Sequence, residues 1–415
     1  LKWAGITYLD HAGTTQPSRA LIDSFCDQVK TKLVANPHSA LAFTPSISQE
    51  IVASTRKRVL KLFNADPEYF EVVFVANATA AIKLVGEAFQ GYTEGFNYYY
   101  HRDCHTSLVG LRELARHSQC LASDEECQQW FDSDEKRWDA RPTLFAYPAQ
   151  SNMNGRRLPL SWSNRLRPYP SLSNCYTLLD VAAYVSTTPL DLSDHTTAPD
   201  FLTLSFYKIF GFPDLGALIV RKCAAHVFDK KRYFGGGTTD IVTVDASPSH
   251  AHKRVGGLAV TIEDGTAALR SILALQCAIT VHERMYSGLA QVSRHTGWLA
   301  KQLYDRLSAL RHPNGRPVCH MYKDPKSTYD NPETQGATVT FNILDTTGSY
   351  HDSAVVGNLA MAASIHLRSG AMCNPGGMAH ALGMTADDIR TGYAAGYVCG
   401  RGGGGMTPVG MVRAS

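Results

Sequence analysis

Short apolar runs bounded by turn residues recur through the first half of the chain. They are Val72–Val75, Phe96–Tyr100, Leu144–Tyr147, Tyr176–Leu179, Phe201–Phe206 and Gly216–Val220. Their valine, leucine, phenylalanine and tyrosine content predicts strands. Between the early runs, Thr79–Phe89 (TAAIKLVGEAF) and Thr106–His117 (TSLVGLRELARH) carry apolar residues at three- and four-residue steps, the helical period. Strand, helix and strand in succession predict a mostly parallel sheet with helices on both faces, an α/β fold. The runs at 201–206 and 216–220 are too close for a helical crossover, so they are expected to pair antiparallel.

From about residue 262 the pattern turns helical for nearly fifty residues, with Leu269, Ile272 and Leu273 on one stripe and Leu299, Leu303, Leu307 and Leu310 on another. A polar loop, a strand at Ala337–Ile343 and a helix near Val355–Ala363 follow, which reads as a smaller α+β domain. The acidic, Trp-bearing stretch 121–141 reads as a surface insertion, and Gly402–Gly405 as a loop.

Composition narrows the class. The 415 residues are 44% hydrophobic and 19% charged, which excludes disorder, collagen and coiled coil. A net charge of +3 with no basic block argues against nucleic acid or a membrane surface as partner. No apolar run approaches a membrane span. The chain opens on Leu1 without a signal-peptide layout, and the lack of Met leaves room for residues upstream. Ten cysteines lie scattered with no C-x-x-C pair. That usage fits a reducing, cytoplasmic setting, and no Cys/His group has the spacing for a metal.

Several residues could carry chemistry. Lys208 follows an apolar strand among Phe206, Tyr207 and Phe210, where desolvation lowers an amine's pKa and makes it nucleophilic. Asp180 ends another strand, at the edge where open α/β sheets bind ligands. Ala78 and Thr79 open a helix after a strand, a place for a phosphate, and Ser205 is a second candidate donor. His105 precedes a helix and could lie on a planar ring. Arg368 is a candidate fork for a carboxylate. Cys373 sits in a Gly/Pro-rich stretch, which predicts an exposed loop and an accessible thiol. Each has an ordinary structural explanation in isolation; their combination points to pyridoxal phosphate (PLP), whose aldehyde needs a lysine and whose ring nitrogen needs an acid.

With these residues assembled, the chain resembles the fold-type I PLP-dependent transferases of the class V aminotransferase and cysteine desulfurase group. Within that group it is most similar to the desulfurase-like domain of molybdenum cofactor sulfurases. YLDHAG (8–13), NPHS (36–39), CHTSLVGLRE (104–113), PAQSN (148–152), LLDVAAY (178–184), SFYKIFGFPDLGALIV (205–220), FGGGT (234–238), IEDGT (262–266) and RSGAMCNPGG (368–377) recur in order. The resemblance implies a mostly parallel seven-stranded sheet, a large domain over 32–270 and a small domain built from 1–31 and 271–415. It also implies roles. Lys208 would hold PLP, Asp180 would pair with the pyridinium nitrogen, and His105 would stack on the ring. Asn152 would lie near the phenolic oxygen. Ala78, Thr79 and Ser205 would bind phosphate, and Thr238 would reach the phosphate of a neighbouring subunit in a homodimer. Arg368, with Arg413 and His38, would bind L-cysteine, and Cys373 would take its sulfur as a persulfide.

The implied activity is a cysteine desulfurase that passes sulfur to an acceptor such as the molybdenum cofactor, releasing alanine. The alternatives are a PLP-dependent C–S lyase or another class V enzyme acting on a different amino acid, or a scaffold that kept the fold without the cofactor. Three features depart from the group. Ala371 stands where a second cysteine is common, Tyr207 stands where many bacterial desulfurases have His, and full sulfurases continue beyond the position of Ser415 into a domain that holds the molybdenum cofactor.

Overall fold

The computed structural model describes residues 5–36, 46–133, 141–167, 174–244, 251–396 and 410–415. Its centre is a seven-stranded sheet of β1 (Phe70–Val75), β2 (Asn97–His101), β3 (His117–Leu121), β4 (Thr143–Pro148), β5 (Cys175–Asp180), β6 (Phe201–Ser205) and β7 (Gly216–Arg221). The spatial order is β1-β7-β6-β5-β4-β2-β3. All pairs are parallel except those of β7, which runs antiparallel to both β1 and β6. The close spacing of the last two apolar runs therefore does produce one reversed strand.

Both faces of this sheet are covered, which is why its inner strands are nearly continuous apolar runs. Phe145, Tyr147, Leu179, Leu204 and Ile219 pack on one side, with helices α2 (Ile47–Leu62) and α5 (Leu269–Tyr286). Leu144, Ala146, Leu178, Leu218 and Val220 pack on the other, with helix α3 (Ala78–Gln90). Successive side chains in each strand point to opposite faces. Helix α1 (Arg19–Thr31) lies against α5 and adds Leu21 to the first cluster.

Two expectations needed correction. The helix expected over Thr106–His117 is one turn at Thr106–Val109 and a 3₁₀ turn at Gly110–Glu113, and His117 already begins β3. β3 is an edge strand exposed along most of its length, so its sequence HSQCL carries no apolar run. The acidic stretch after it is not a surface insertion. Asp124–Asp132 forms helix α4, whose Cys127, Trp130 and Phe131 are buried against Tyr99 and Phe145. Its acids occupy the first turn behind the Ser123 cap, where they complement the helix dipole. Residues 134–140 and Gly402–Gly405 lie outside the described residues.

The C-terminal part builds a four-stranded antiparallel sheet from β8 (Cys319–Met321), β9 (Val339–Ile343), β10 (Arg368–Gly370) and β11 (Met411–Ala414), in the order β8-β9-β11-β10. Thr7–Tyr8 pairs with Ile365–His366, so the N-terminal strand joins this C-terminal part. Among the described residues no helix is long and apolar enough to cross a membrane.

One ion pair anchors the sheet edge. Arg56 on α2 forks onto Glu263 at 2.6 and 2.5 Å, and Glu263 also accepts the outward N–H of Phe74 on edge strand β1 at 2.5 Å. Both side chains are mostly buried. Glu263→Ala leaves that guanidinium uncompensated and should cost about 3 kcal/mol of stability, measured by urea denaturation. A loss below about 0.5 kcal/mol would place the pair with ordinary surface ion pairs.

Candidate active site

The site grows from the carboxyl ends of the central parallel strands. In the sheet register Pro148 lies opposite Asp180, and Asp180 opposite Thr203, so β4 and β5 finish level and β6 runs two residues further. A cavity opens at that edge, lined by Ala78, Thr79, His105, Asn152, Asp180, Ser205 and Lys208, together with Ser107, Gln150 and Tyr207.

Helix α3 begins at this edge. Asn77 caps it by accepting the Ala80 N–H at 3.0 Å. The Ala78 N–H donates to Ser205 Oγ at 2.9 Å, which leaves the Ser205 hydroxyl proton free to point elsewhere. Thr79 Oγ1 lies 2.8 Å from Ser107 Oγ. Three hydroxyls and a helix N-terminus thus gather at one end of the cavity, the arrangement that receives an anion.

Lys208 lies in the short helix Tyr207–Phe210 that follows β6. Burial pushes its amine below the ordinary lysine range, and the Asp180 carboxylate opposes that shift. His105 caps the Thr106–Val109 turn, and its Nδ1 accepts the Ser107 N–H at 3.1 Å. A ring nitrogen that accepts carries no proton, so the neutral ring holds its proton on Nε2. Burial lowers the His105 pKa, with Asp180 again opposing.

Cys373 is not on a freely exposed loop. It is half-buried, and both it and Met372 adopt left-handed backbone, with φ of 53° and 57°. Its carbonyl accepts the Thr106 N–H at 2.9 Å, next to His105. Asn152 Nδ2 donates to the Met372 carbonyl at 2.6 Å. The polar contacts of Asn374, invisible to a count of Gly and Pro, overrule the composition. Arg368 Nη2 stands 3.9 Å from Cys373 Sγ. Arg413, opposite Arg368 in the β10–β11 pair, is 3% exposed. It donates to the Asn152 carbonyl at 2.7 Å and to Asp10 Oδ1 at 2.8 Å, so it is committed to the protein.

Thr238 is fully buried and its hydroxyl donates to the Gly235 carbonyl at 2.8 Å; it does not line the cavity of this chain. His38 lies outside the described residues. Sequence reasoning missed Ser107, Gln150, Asp10 and Asn374. Ser107, two residues after His105, and Asn374, before Pro375, carried turn and cap signals. Gln150 and Asp10 carried no local structural signal and stood out only as members of the recurring segments PAQSN and YLDHAG.

A family model for class-V aminotransferases matches residues 7–397. A molybdenum cofactor sulfurase of Aspergillus fumigatus is 50% identical over 401 residues, 95% of this chain and 47% of that protein. The chain therefore spans about half the length of the curated relatives it matches. Among solved structures, a cysteine desulfurase of Thermococcus onnurineus superposes with a TM-score of 0.71 at 18% identity, covering 99% of this chain and 89% of that one. A cysteine desulfurase of Escherichia coli gives 0.69 at 18% identity, covering 100% and 90%. At these identities the two structures speak for the fold.

The depressed amine generates a prediction. In cofactor-free protein, Lys208 should lose its proton at a lower pH than exposed lysines, and acylation followed by peptide mapping should show its reactivity rising first as pH increases. Asp180 favours the protonated amine, so Asp180→Asn should move that profile to still lower pH. An upward move would contradict the assignment.

Proposed function

Because the chain belongs to the class-V aminotransferase family, we propose that it is a PLP-dependent desulfurase unit of the molybdenum cofactor sulfurase type, taking sulfur from L-cysteine. One observation carries this reading. Lys208, Asp180 and His105 line one cavity, and the Cys373 loop is bonded directly to residues beside that cavity.

The donor set fits the cofactor. Ser205 at the end of β6 and Thr79 at the start of α3 suit a phosphate; the Ala78 N–H is already taken by Ser205. Lys208 supplies an amine for an aldehyde, Asp180 an acceptor for a ring N–H, and His105 a neutral ring to stack. When bound, PLP supplies an electrophilic aldehyde and an electron-withdrawing ring. Asp180 would keep the proton on the ring nitrogen. Lys208 Nζ, with its lowered pKa, would take the proton from the substrate Cα. Arg368 would fork onto the substrate carboxylate, and Asn152 would hold the phenolic oxygen's side of the site.

Cys373 would take the sulfur. The Cβ–S bond of L-cysteine breaks, an S–S bond to Cys373 Sγ forms, and a C–H bond completes alanine. Two thiols become one methyl group and one persulfide, so carbon is reduced as sulfur is oxidised and no outside oxidant is needed. The persulfide would then pass to an acceptor, for which the molybdenum cofactor is the candidate. The large and small domains are read as 32–270 and 1–31 with 271–415. A homodimer is part of the proposal: Tyr233, Phe234, Ile241, Val242 and Val255 are exposed apolar residues close in sequence to Gly235–Thr238, a surface suited to a second copy.

The test uses PLP-loaded protein. Borohydride reduction and peptide mapping should place the label on Lys208, and L-cysteine should yield alanine and a persulfide on Cys373. Cys373→Ala should keep the cofactor spectrum and lose the persulfide. Pyruvate, ammonia and sulfide as products, or undiminished sulfur transfer by Cys373→Ala, would reject the reading.

A further inference from the structure

Asn374 follows the candidate sulfur-accepting cysteine and is fully buried. Its two amide protons are shared among three acceptors: the Asp103 carbonyl at 3.0 Å, Asn152 Oδ1 at 3.0 Å and Ser151 Oγ at 3.3 Å. Its Oδ1 accepts the Gly377 N–H at 2.9 Å and so caps the helix Pro375–Leu382. One side chain thus performs two separable tasks. The oxygen starts a helix, and the nitrogen ties the loop to the central sheet's edge.

The anchor at the far end is rigid. The Asp103 carboxylate pairs with Arg156 at 3.3 Å, and Arg156 also pairs with Asp124 and, at 3.1 Å, with Asp324. This cluster is largely buried and joins the loop after β2, the start of α4 and the β4–β5 connection to the segment before β9. The start of the helix packs closely against this anchor. A Cβ on Gly376 would lie 2.4 Å from the Arg102 carbonyl, and one on Gly377 would lie 2.6 Å from Asn374 Oδ1.

Between these fixed points the chain must pass through two consecutive left-handed residues, Met372 and Cys373, which non-glycine residues rarely adopt. Asn152, itself held by Asn374, takes the Met372 carbonyl, and the Thr106 N–H takes the Cys373 carbonyl. Every one of these bonds leads back to a residue that lines the cavity or adjoins one.

We propose that Asn374 is a positioning residue. Its amide holds the Cys373 backbone in this conformation, so that the thiol stays beside Arg368 and at a fixed place relative to the cofactor cavity. The inference rests on the desulfurase reading above and deepens it. It implies that the sulfur acceptor must come to the thiol, because the loop does not carry the thiol away.

Asn374→Asp separates the two tasks in the PLP-loaded full chain. Aspartate keeps an oxygen for the Gly377 N–H, a good cap, but presents no donor to Asp103 or Asn152. Asn374→Ser also keeps a cap oxygen and adds no buried charge, and its single, shorter hydroxyl cannot replace the two amide protons; it serves if the aspartate variant fails to fold. Either should retain the cofactor spectrum, with a lower melting temperature because buried acceptors lose their donors. Single-turnover persulfide formation should fall about 100-fold, the scale of a misplaced reacting group, and iodoacetamide should alkylate Cys373 faster as the loop loosens. Persulfide formation within about twofold of wild type, with unchanged alkylation, would overturn the proposal. A wild-type protein that forms no persulfide on Cys373 would instead overturn the desulfurase reading, while the alkylation comparison would still judge the tether.

Discussion

Hydrogen-bonded register across three parallel strands fixes where chemistry can occur in this chain. β4 and β5 finish level, with Pro148 facing Asp180, and β6 runs two residues further, since Asp180 faces Thr203 and the strand ends at Ser205. Asp180 and the turn carrying Lys208 therefore emerge from neighbouring strands at the same edge. The reversal of β7 completes the arrangement. Gly216, at its start, faces Ser205 in register and lies so close to Asn77 that a Cβ would sit 2.5 Å from the Asn77 Cα. Glycine there lets the start of α3 press against the strand ends, and the Ala78 N–H reaches Ser205 Oγ. A one-residue slip of β5 would turn Asp180 to the other face of the sheet and dismantle the site.

The charges at that edge answer one another. Lys208 is buried near Asp180, Arg413, Asp10 and Cys373, and burial dominates, holding the amine toward neutrality. His105 feels Asp180, Lys208, Arg368 and Arg413, and burial again dominates. The amine and the imidazole, the two groups suited to accepting or stacking, are thus both biased to their uncharged forms by the same loss of water. Permanent charge is left to the guanidiniums and carboxylates around them, which can act by attraction without moving a proton.

Much of this was legible because apolar period and strand-end position are local properties. The six apolar runs are six of the seven central strands, and Asp180, Lys208 and Ser205 were visible as polar residues at strand ends. β3 was not legible: an edge strand need not be apolar, and HSQCL looks like any polar segment. The acidic stretch misled for a related reason. Asp124, Glu125 and Glu126 belong to the first turn of α4, while Cys127, Trp130 and Phe131 after them pack into the core. Gly and Pro around Cys373 suggested a loose loop, since composition reports backbone freedom but not the tertiary bonds that remove it. Asn374 makes those bonds to residues more than 200 positions away, beyond any local pattern.

The two arginines show why residue type alone could not assign roles. Arg368 and Arg413 face each other across β10 and β11, and either could fork onto a carboxylate. Asp10, brought in by the N-terminal segment, makes their surroundings differ. It takes one Arg413 nitrogen while the Asn152 carbonyl takes another, so the positive charge of Arg413 is spent inside the protein and lends stiffness to Asn152. Arg368 lies at the mouth of the Cys373 loop, with Nη2 near the sulfur. A buried cation already matched by a carboxylate favours order, and a cation next to a thiol favours an incoming anion. The same side chain, placed on adjacent strands, is therefore bonded into the frame in one case and stands beside the Cys373 thiol in the other.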